Sequence, residues 1–206
     1  MRTLAVLSRK GGSGKSCLTR SLAVAALLDG RKVAIIDADE QLTVMAWSNR
    51  REAQAPLVIP MGSSTLQKAL ADVKGRGADL CLIDTPPHAR PLITLAAQLS
   101  DSAIIVTSTG PEDVEQVAAT VQITQQLKKP SAIVLNRTQP RTGSLGLART
   151  ALATFGVPLC PTAITQAVGH QYAAAEGLTP QEREPGSKAA QEIGQVYDWL
   201  KSKDLI

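Results

Sequence analysis

The first thirty residues constrain this chain more than any other stretch. An apolar run, Thr3 to Leu7, gives way to Ser8-Arg9-Lys10-Gly11-Gly12-Ser13-Gly14-Lys15-Ser16. The residues that follow keep helical spacing as far as Asp29-Gly30, where Gly30 can close a helix in the left-handed conformation. A strand, a glycine-rich turn and a helix in immediate succession are the parts needed to hold a polyphosphate. Glycines let the backbone curl with its N–H groups aimed at an anion, and the helix start adds unpaired donors and the positive end of its dipole. Lys15 can then reach β and γ phosphates, and the Ser16 hydroxyl can ligate Mg²⁺. The loop departs from the general G-x-x-x-x-G-K-[ST] pattern, because Arg9 stands where the first glycine would be and Lys10 follows it.

Beyond this segment, β-rich runs recur at Val33–Ile36, Leu57–Ile59, Leu80–Ile83, Ala103–Val106 and Ala132–Leu135, with helical spacing between them around Ser64–Val73, Glu112–Gln126, Ser144–Thr154 and Ser187–Lys201. That rhythm predicts an α/β fold, a doubly wound, mostly parallel sheet with helices on both faces. At 206 residues the chain is expected to form a single domain over 1–206. Aromatic residues make up only 2% of it, so the core must be built from Ala, Val, Leu and Ile, which suits a helix-covered parallel sheet. In the last helical stretch Ile193, Val196, Tyr197 and Leu200 fall on one face, as a core-facing helix requires.

Composition excludes several classes. Cys17, Cys81 and Cys160 are far apart and odd in number, which argues against a disulfide framework or a zinc site and fits a reducing cytoplasm. The first apolar run is too short for a signal peptide, and no stretch approaches the roughly 18 apolar residues of a membrane span. A net charge of +4 favours polyanions without requiring them. His88 and His170 have no spaced partner that would make a metal site, and Cys17 reads as a small helix residue beside the loop rather than a nucleophile.

Polar side chains end three of the strand runs: Asp37, Asp84 and Asn136. They lie at the carboxyl edge of the predicted sheet, where ligands of open α/β sheets bind. Asp37-Ala38-Asp39-Glu40-Gln41 sets two carboxylates one residue apart, a pair that can hold Mg²⁺ through water and orient an attacking water. Asn136-Arg137, after the sixth run, could by itself form a plain turn.

The loop K-G-G-x-G-K-S resembles the deviant Walker motif of the ParA/MinD family of P-loop ATPases. Asp37-Ala38-Asp39-Glu40-Gln41 looks like that family's D-x-D-P-Q, and Leu42 to Ser48 is similar to the short, ParF-like plasmid partition proteins. Leu80 to Pro87 resembles the Walker B and switch II segment, Asn136-Arg137 the adenine-side motif, and Pro161–Gln166 with Ala173–Thr179 the C-terminal pattern. The resemblance implies ATP and Mg²⁺ as cofactors, held by Lys10, Gly11, Gly12, Ser13, Gly14, Lys15, Ser16, Cys17, Asn136 and Arg137, with Ser16, Asp37 and Asp84 at the metal. It implies catalysis by Lys10, Lys15 and Asp39, with Lys10 crossing a dimer interface to the partner's nucleotide and Asp39 activating water.

The same resemblance implies an ATP-dependent homodimer that binds DNA without sequence preference, works with a centromere-binding or cargo adaptor protein in plasmid or chromosome partition, and is cytoplasmic and nucleoid-associated. Carboxysomes and conjugation complexes are alternative cargoes. No helix-turn-helix extension is expected ahead of the loop. Arg141, Arg149, Lys188, Lys201 and Lys203 are the candidate DNA contacts. Ser8 and Glu40 depart from the family's usual Asn and Pro, and Glu40 adds a third carboxylate near the metal. Two rivals differ in class. A MinD-like membrane regulator needs a cationic amphipathic tail, whereas Gln195 to Ile206 mixes Lys201 and Lys203 with Asp198 and Asp204, so no stable membrane association is expected. A dethiobiotin-synthetase-like ligase would have no use for Lys10.

Overall fold

The computed structural model describes residues 1–61, 65–139 and 143–206. Its strands are β1 (Arg2–Leu7), β2 (Val33–Asp37), β3 (Leu57–Pro60), β4 (Leu80–Asp84), β5 (Ser102–Thr107) and β6 (Ser131–Leu135). They form a six-stranded sheet in the order β3-β2-β4-β1-β5-β6. Every strand pair is parallel, so the sheet is wholly rather than mostly parallel.

The helices are α1 (Lys15–Leu28), α2 (Thr43–Ser48), α3 (Leu66–Gly75), α4 (Arg90–Leu99), α5 (Pro111–Gln126), α6 (Ser144–Ala153), α7 (Gly169–Ala175), α8 (Pro180–Arg183) and α9 (Lys188–Ser202). Alternation along the buried strands sends successive side chains to opposite faces. Leu4, Val6, Ile35, Leu82 and Val134 meet α1, α2 and α9 on one side, Ile193, Val196, Tyr197 and Leu200 included. Ala5, Leu7, Ile36 and Ile83 meet α3 and α4 on the other, and Ile105, Ile133 and Leu135 meet α5 and α6.

Helices α2, α4, α7 and α8 have no counterpart in the sequence reading. α2 is short and is started from a distance: Asp37 Oδ2 accepts from the backbone N–H groups of Val44 at 3.0 Å and Met45 at 2.9 Å. α4 follows Pro86-Pro87, which reads as a break, yet Pro91 sits in its first turn, where the missing N–H costs nothing. Helix α3 starts at Leu66, capped by Thr65, whose hydroxyl accepts from Lys68 N at 3.3 Å. Ser64 and the candidate contact Arg141 lie outside the described residues.

The chain leaves central β1 toward β2 on one side and later crosses to β5 on the other. That reversal opens a crevice at the carboxyl ends of β1, β4 and β5, directly below the glycine loop.

Candidate nucleotide site

The loop between β1 and α1 curls through two left-handed glycines, Gly12 at φ 76° and Gly14 at φ 84°. Gly14 is where a side chain costs most: a Cβ there would meet Asn136 Nδ2 and displace it, at a positive φ that other residues rarely adopt. No side chain caps the start of α1 and its first turn holds no acidic residue, so its N–H groups and dipole are left for an outside anion. Ser13 Oγ is buried without a partner inside the same loop. A phosphate chain satisfies these donors, so the loop fits the group expected of it.

Lys15 is buried in the crevice and its ammonium donates to the Lys10 carbonyl at 3.4 Å. Burial pulls its pKa below the ordinary value, against the opposing charges of Asp84 and Asp39. Asp84, at the end of β4, is fully buried and accepts from the Ser16 hydroxyl at 2.6 Å and the Thr19 hydroxyl at 3.0 Å. Burial pushes its carboxyl up to about 7 despite those bonds, and Asp37, its register partner on β2, adds like charge. Burial also raises Asp37 against the backbone N–H groups it accepts. Two crowded carboxylates beside a serine hydroxyl suit a divalent cation. Among the described residues no group of three or more His, Cys, Asp or Glu could hold a metal alone. Mg²⁺ would therefore draw on phosphate oxygens as well, which is its usual habit.

The structure assigns Asp37 a role that spacing did not reveal, since its carboxylate builds the turn into α2. Asp39 and Glu40 stand beside it in the lining of a groove of about 650 Å³ between the β2–α2 and β4–α4 loops, which Met61, Pro86 and Leu92 also line. Both loops contain a non-glycine residue in the left-handed region, Leu42 at φ 49° and His88 at φ 61°.

Asn136, at the end of β6, donates from Nδ2 to the carbonyls of Ser13 at 3.0 Å and Gly14 at 3.2 Å. It thereby clamps the phosphate loop. Arg137 reaches the Gly12 carbonyl at 2.5 Å. Together with Cys17, Gln166 and His170 these residues line a cavity of about 290 Å³ beside the loop. Cys17 Sγ meets His170 Nδ1 at 3.6 Å, a contact between residues 153 apart that no local pattern announces.

Lys10 stands apart from Lys15, on the open side of the loop. Its side chain is 43% exposed and its ammonium is paired with the Asp113 carboxylate at the start of α5; Ser108 donates to the same carboxylate. Asp113 was not singled out from the sequence, since an acidic residue in a first helical turn is ordinary.

The candidate DNA contacts are dispersed. Arg149 lies on α6 and donates to the Pro161 carbonyl at 2.6 Å, while α9, on the opposite face of the sheet, carries Lys188, paired with Glu192 at 3.5 Å, and Lys201, paired with Asp29 at 2.7 Å. Lys203 follows α9 and is exposed. Among the described residues no helix is long and apolar enough to cross a membrane.

Comparison with known proteins agrees with this geometry. Residues 4–179 match the family model described as the CobQ/CobB/MinD/ParA nucleotide binding domain. "Maintenance of carboxysome distribution protein A" of Gloeobacter kilaueensis is 33% identical over 86% of this chain and 83% of its own length. The protein of the same name from Halothiobacillus neapolitanus is 27% identical over 95% of this chain and 94% of its own. In fold, the MinD cell division protein of Aquifex aeolicus superposes with a TM-score of 0.81 at 18% identity, over 98% of both chains. With the family match spanning most of the sequence and the glycine loop, the strand-end carboxylates and the sheet order in place, the chain belongs to the CobQ/CobB/MinD/ParA nucleotide-binding family and has the fold of the ParA/MinD P-loop ATPases.

Proposed function

We propose that this chain binds Mg-ATP at the β1–α1 loop, pairs with a second copy across the nucleotide, binds DNA without sequence preference in that form, and so positions a cargo whose adaptor triggers hydrolysis. The observation that carries this reading is the division of labour between two lysines. Lys15 is buried at the phosphate cradle, whereas Lys10 is held outside it by Asp113 and faces solvent. A second cation beside the loop with no task in its own cradle supports a role toward another protomer's phosphates. To take that role Lys10 must give up Asp113, so nucleotide and dimer formation are coupled to release of this ion pair.

In this reading Ser16, Asp37 and Asp84 hold the cation and its water shell, and Asp39 orients the attacking water. Asp37 fixes the loop that carries Asp39, and Asn136 and Arg137 frame the base. The bound Mg²⁺ would neutralise charge developing on the phosphates. DNA contacts are assigned to Arg141, Arg149, Lys188, Lys201 and Lys203 acting on a dimer, which doubles their number; Arg149 and the α9 lysines lie on opposite faces of the sheet and form no single patch in one copy.

Plasmid or chromosome DNA is one cargo consistent with this function. Two relatives that match most of this chain carry the name of carboxysome distribution proteins, which supports the wider class of cargo positioning and gives a protein assembly equal standing with a centromere complex. Residues 195–206 give a membrane track no support: Leu200 and Leu205 are buried in the core, and the Leu205 carbonyl accepts from Ser102.

Fluorescence anisotropy with a labelled duplex tests the DNA step. Binding is expected with ATP and weak without it or with ADP. Log affinity should fall linearly with log salt, by about 0.9 for each phosphate neutralised, and shuffling the sequence should change little. Equal binding in all nucleotide states, or none at low salt, would remove DNA as the track.

A further inference from the structure

Cys81 and Cys160 are buried in the core, whereas Cys17 is partly exposed and opens onto the cavity of about 290 Å³ beside the phosphate loop. Its Sγ lies 3.6 Å from His170 Nδ1, and the other ring nitrogen, Nε2, is buried without a partner. Arg20 lines the same cavity and is 9% exposed. Among the described residues no ion pair engages Arg20; its polar neighbour is the Cys17 thiol. The charged or titratable residues around the cavity are Cys17, Arg20, Arg137 and His170, with no carboxylate among them. An arginine nine-tenths buried, in a cavity lined by no carboxylate, leaves positive potential there and favours an anion.

We propose that Cys17 is a site of thiol–disulfide exchange with an anionic low-molecular-weight disulfide, and that the resulting adduct closes the nucleotide pocket. Sγ attacks one sulfur of the disulfide. The new S–S bond forms as the old one breaks, and the thiol proton passes to His170 Nδ1 and on to the departing thiolate, which leaves as a thiol. Cys17 is oxidised and the disulfide is reduced by the same two electrons. Arg20 and Arg137 favour an incoming group that carries carboxylates, as glutathione does. Once attached, that group occupies the space in which a base would sit. The gating step rests on the base-pocket reading given above; the exchange at Cys17 does not.

Oxidised glutathione is the probe, used on the full chain, with peptide mapping by mass spectrometry and ATP affinity measured before exchange, after it, and after reduction with dithiothreitol. The expected result is one adduct, on Cys17, slowed by saturating Mg-ATP, with a loss of ATP affinity of about tenfold or more that reduction reverses. Cationic cystamine should react with the folded protein more slowly than glutathione disulfide does, each rate being taken relative to the urea-unfolded chain. The Cys17→Ser chain should take up no adduct, and whatever ATP affinity it has should be indifferent to the disulfide. Adducts on Cys81 or Cys160 in folded protein, no reaction where the unfolded chain reacts, or a Cys17 adduct that leaves ATP affinity unchanged would each overturn the proposal. Failure of unmodified protein to bind ATP would instead overturn the nucleotide reading, and the gating with it, while the mapping still decides the exchange.

Discussion

Replacing Asp84 by asparagine is expected to stabilise the nucleotide-free protein while abolishing its response to Mg-ATP. The carboxyl is fully buried, it lies in register with Asp37, and burial moves it from an ordinary 3.8 to about 7. The folded chain therefore holds this proton more tightly than the unfolded chain does. Ionisation consequently costs folding free energy: the penalty is absent below the unfolded value, grows as pH rises from 3.8, and is complete once pH passes about 7. At about 1.4 kcal/mol per tenfold change in proton affinity, it reaches roughly 4 kcal/mol above neutrality. An asparagine keeps the shape, can accept from one of the Ser16 and Thr19 hydroxyls and donate to the other, and carries no charge. If it recovers about half the penalty, ~2 kcal/mol, melting at about pH 8 should rise by roughly 4–8 °C in a chain of this size. Scanning calorimetry of both proteins in EDTA checks this, at about pH 8 and again near pH 4.5, where the gain should largely vanish. Addition of Mg-ATP should then raise the melting temperature of the parent protein and not of the variant. An equal or lower melting temperature for Asp84→Asn at the higher pH, or a gain independent of pH, would refute the reasoning.

The phosphate loop makes two further demands. Gly14→Ala forces a Cβ toward Asn136 at a positive φ, so it should lose ATP binding by equilibrium dialysis and destabilise the fold by about 1 kcal/mol or more. Asp39→Ala should bind ATP nearly as the parent does yet release phosphate at least about a hundredfold more slowly, and turnover like the parent's would take Asp39 out of the mechanism.

The strands were legible because each is a short apolar run, and a strand buried on both faces writes its burial into its own residues. The first helix was legible through Gly14 and Gly30, and α9 through its apolar stripe. Helix α8 carried a local start signal that went unread, Pro180 at its first position and a capping box between Thr179 and Glu182, whereas α7 runs into a turn pinned by distant partners: Trp47 Nε1 donates to the Leu178 carbonyl, and Arg51 donates to the Gly177 carbonyl and Glu182. Neither contact leaves a mark on the sequence around residue 175. The site divides along the same line. Gly11 to Ser16, Asp37, Asp39 and Asp84 follow their strands directly and could be placed at the sheet edge from spacing alone. That Asn136 holds the loop backbone from 123 residues away, that His170 meets Cys17, and that Asp113 restrains Lys10 depend on how the chain returns across the sheet. Those contacts appear only once the strand order is known.

The central claim is that nucleotide joins two copies through Lys10, and sedimentation velocity tests it most directly. Asp39→Ala, which should hold ATP without consuming it, is compared with the double variant that also carries Lys10→Ala, each without nucleotide, with Mg-ADP and with Mg-ATP. The prediction is a dimer only for the single variant with Mg-ATP, and a monomer for the double variant in every condition although it still binds ATP. A dimer that persists when Lys10 is removed, or a monomer throughout, would contradict the account.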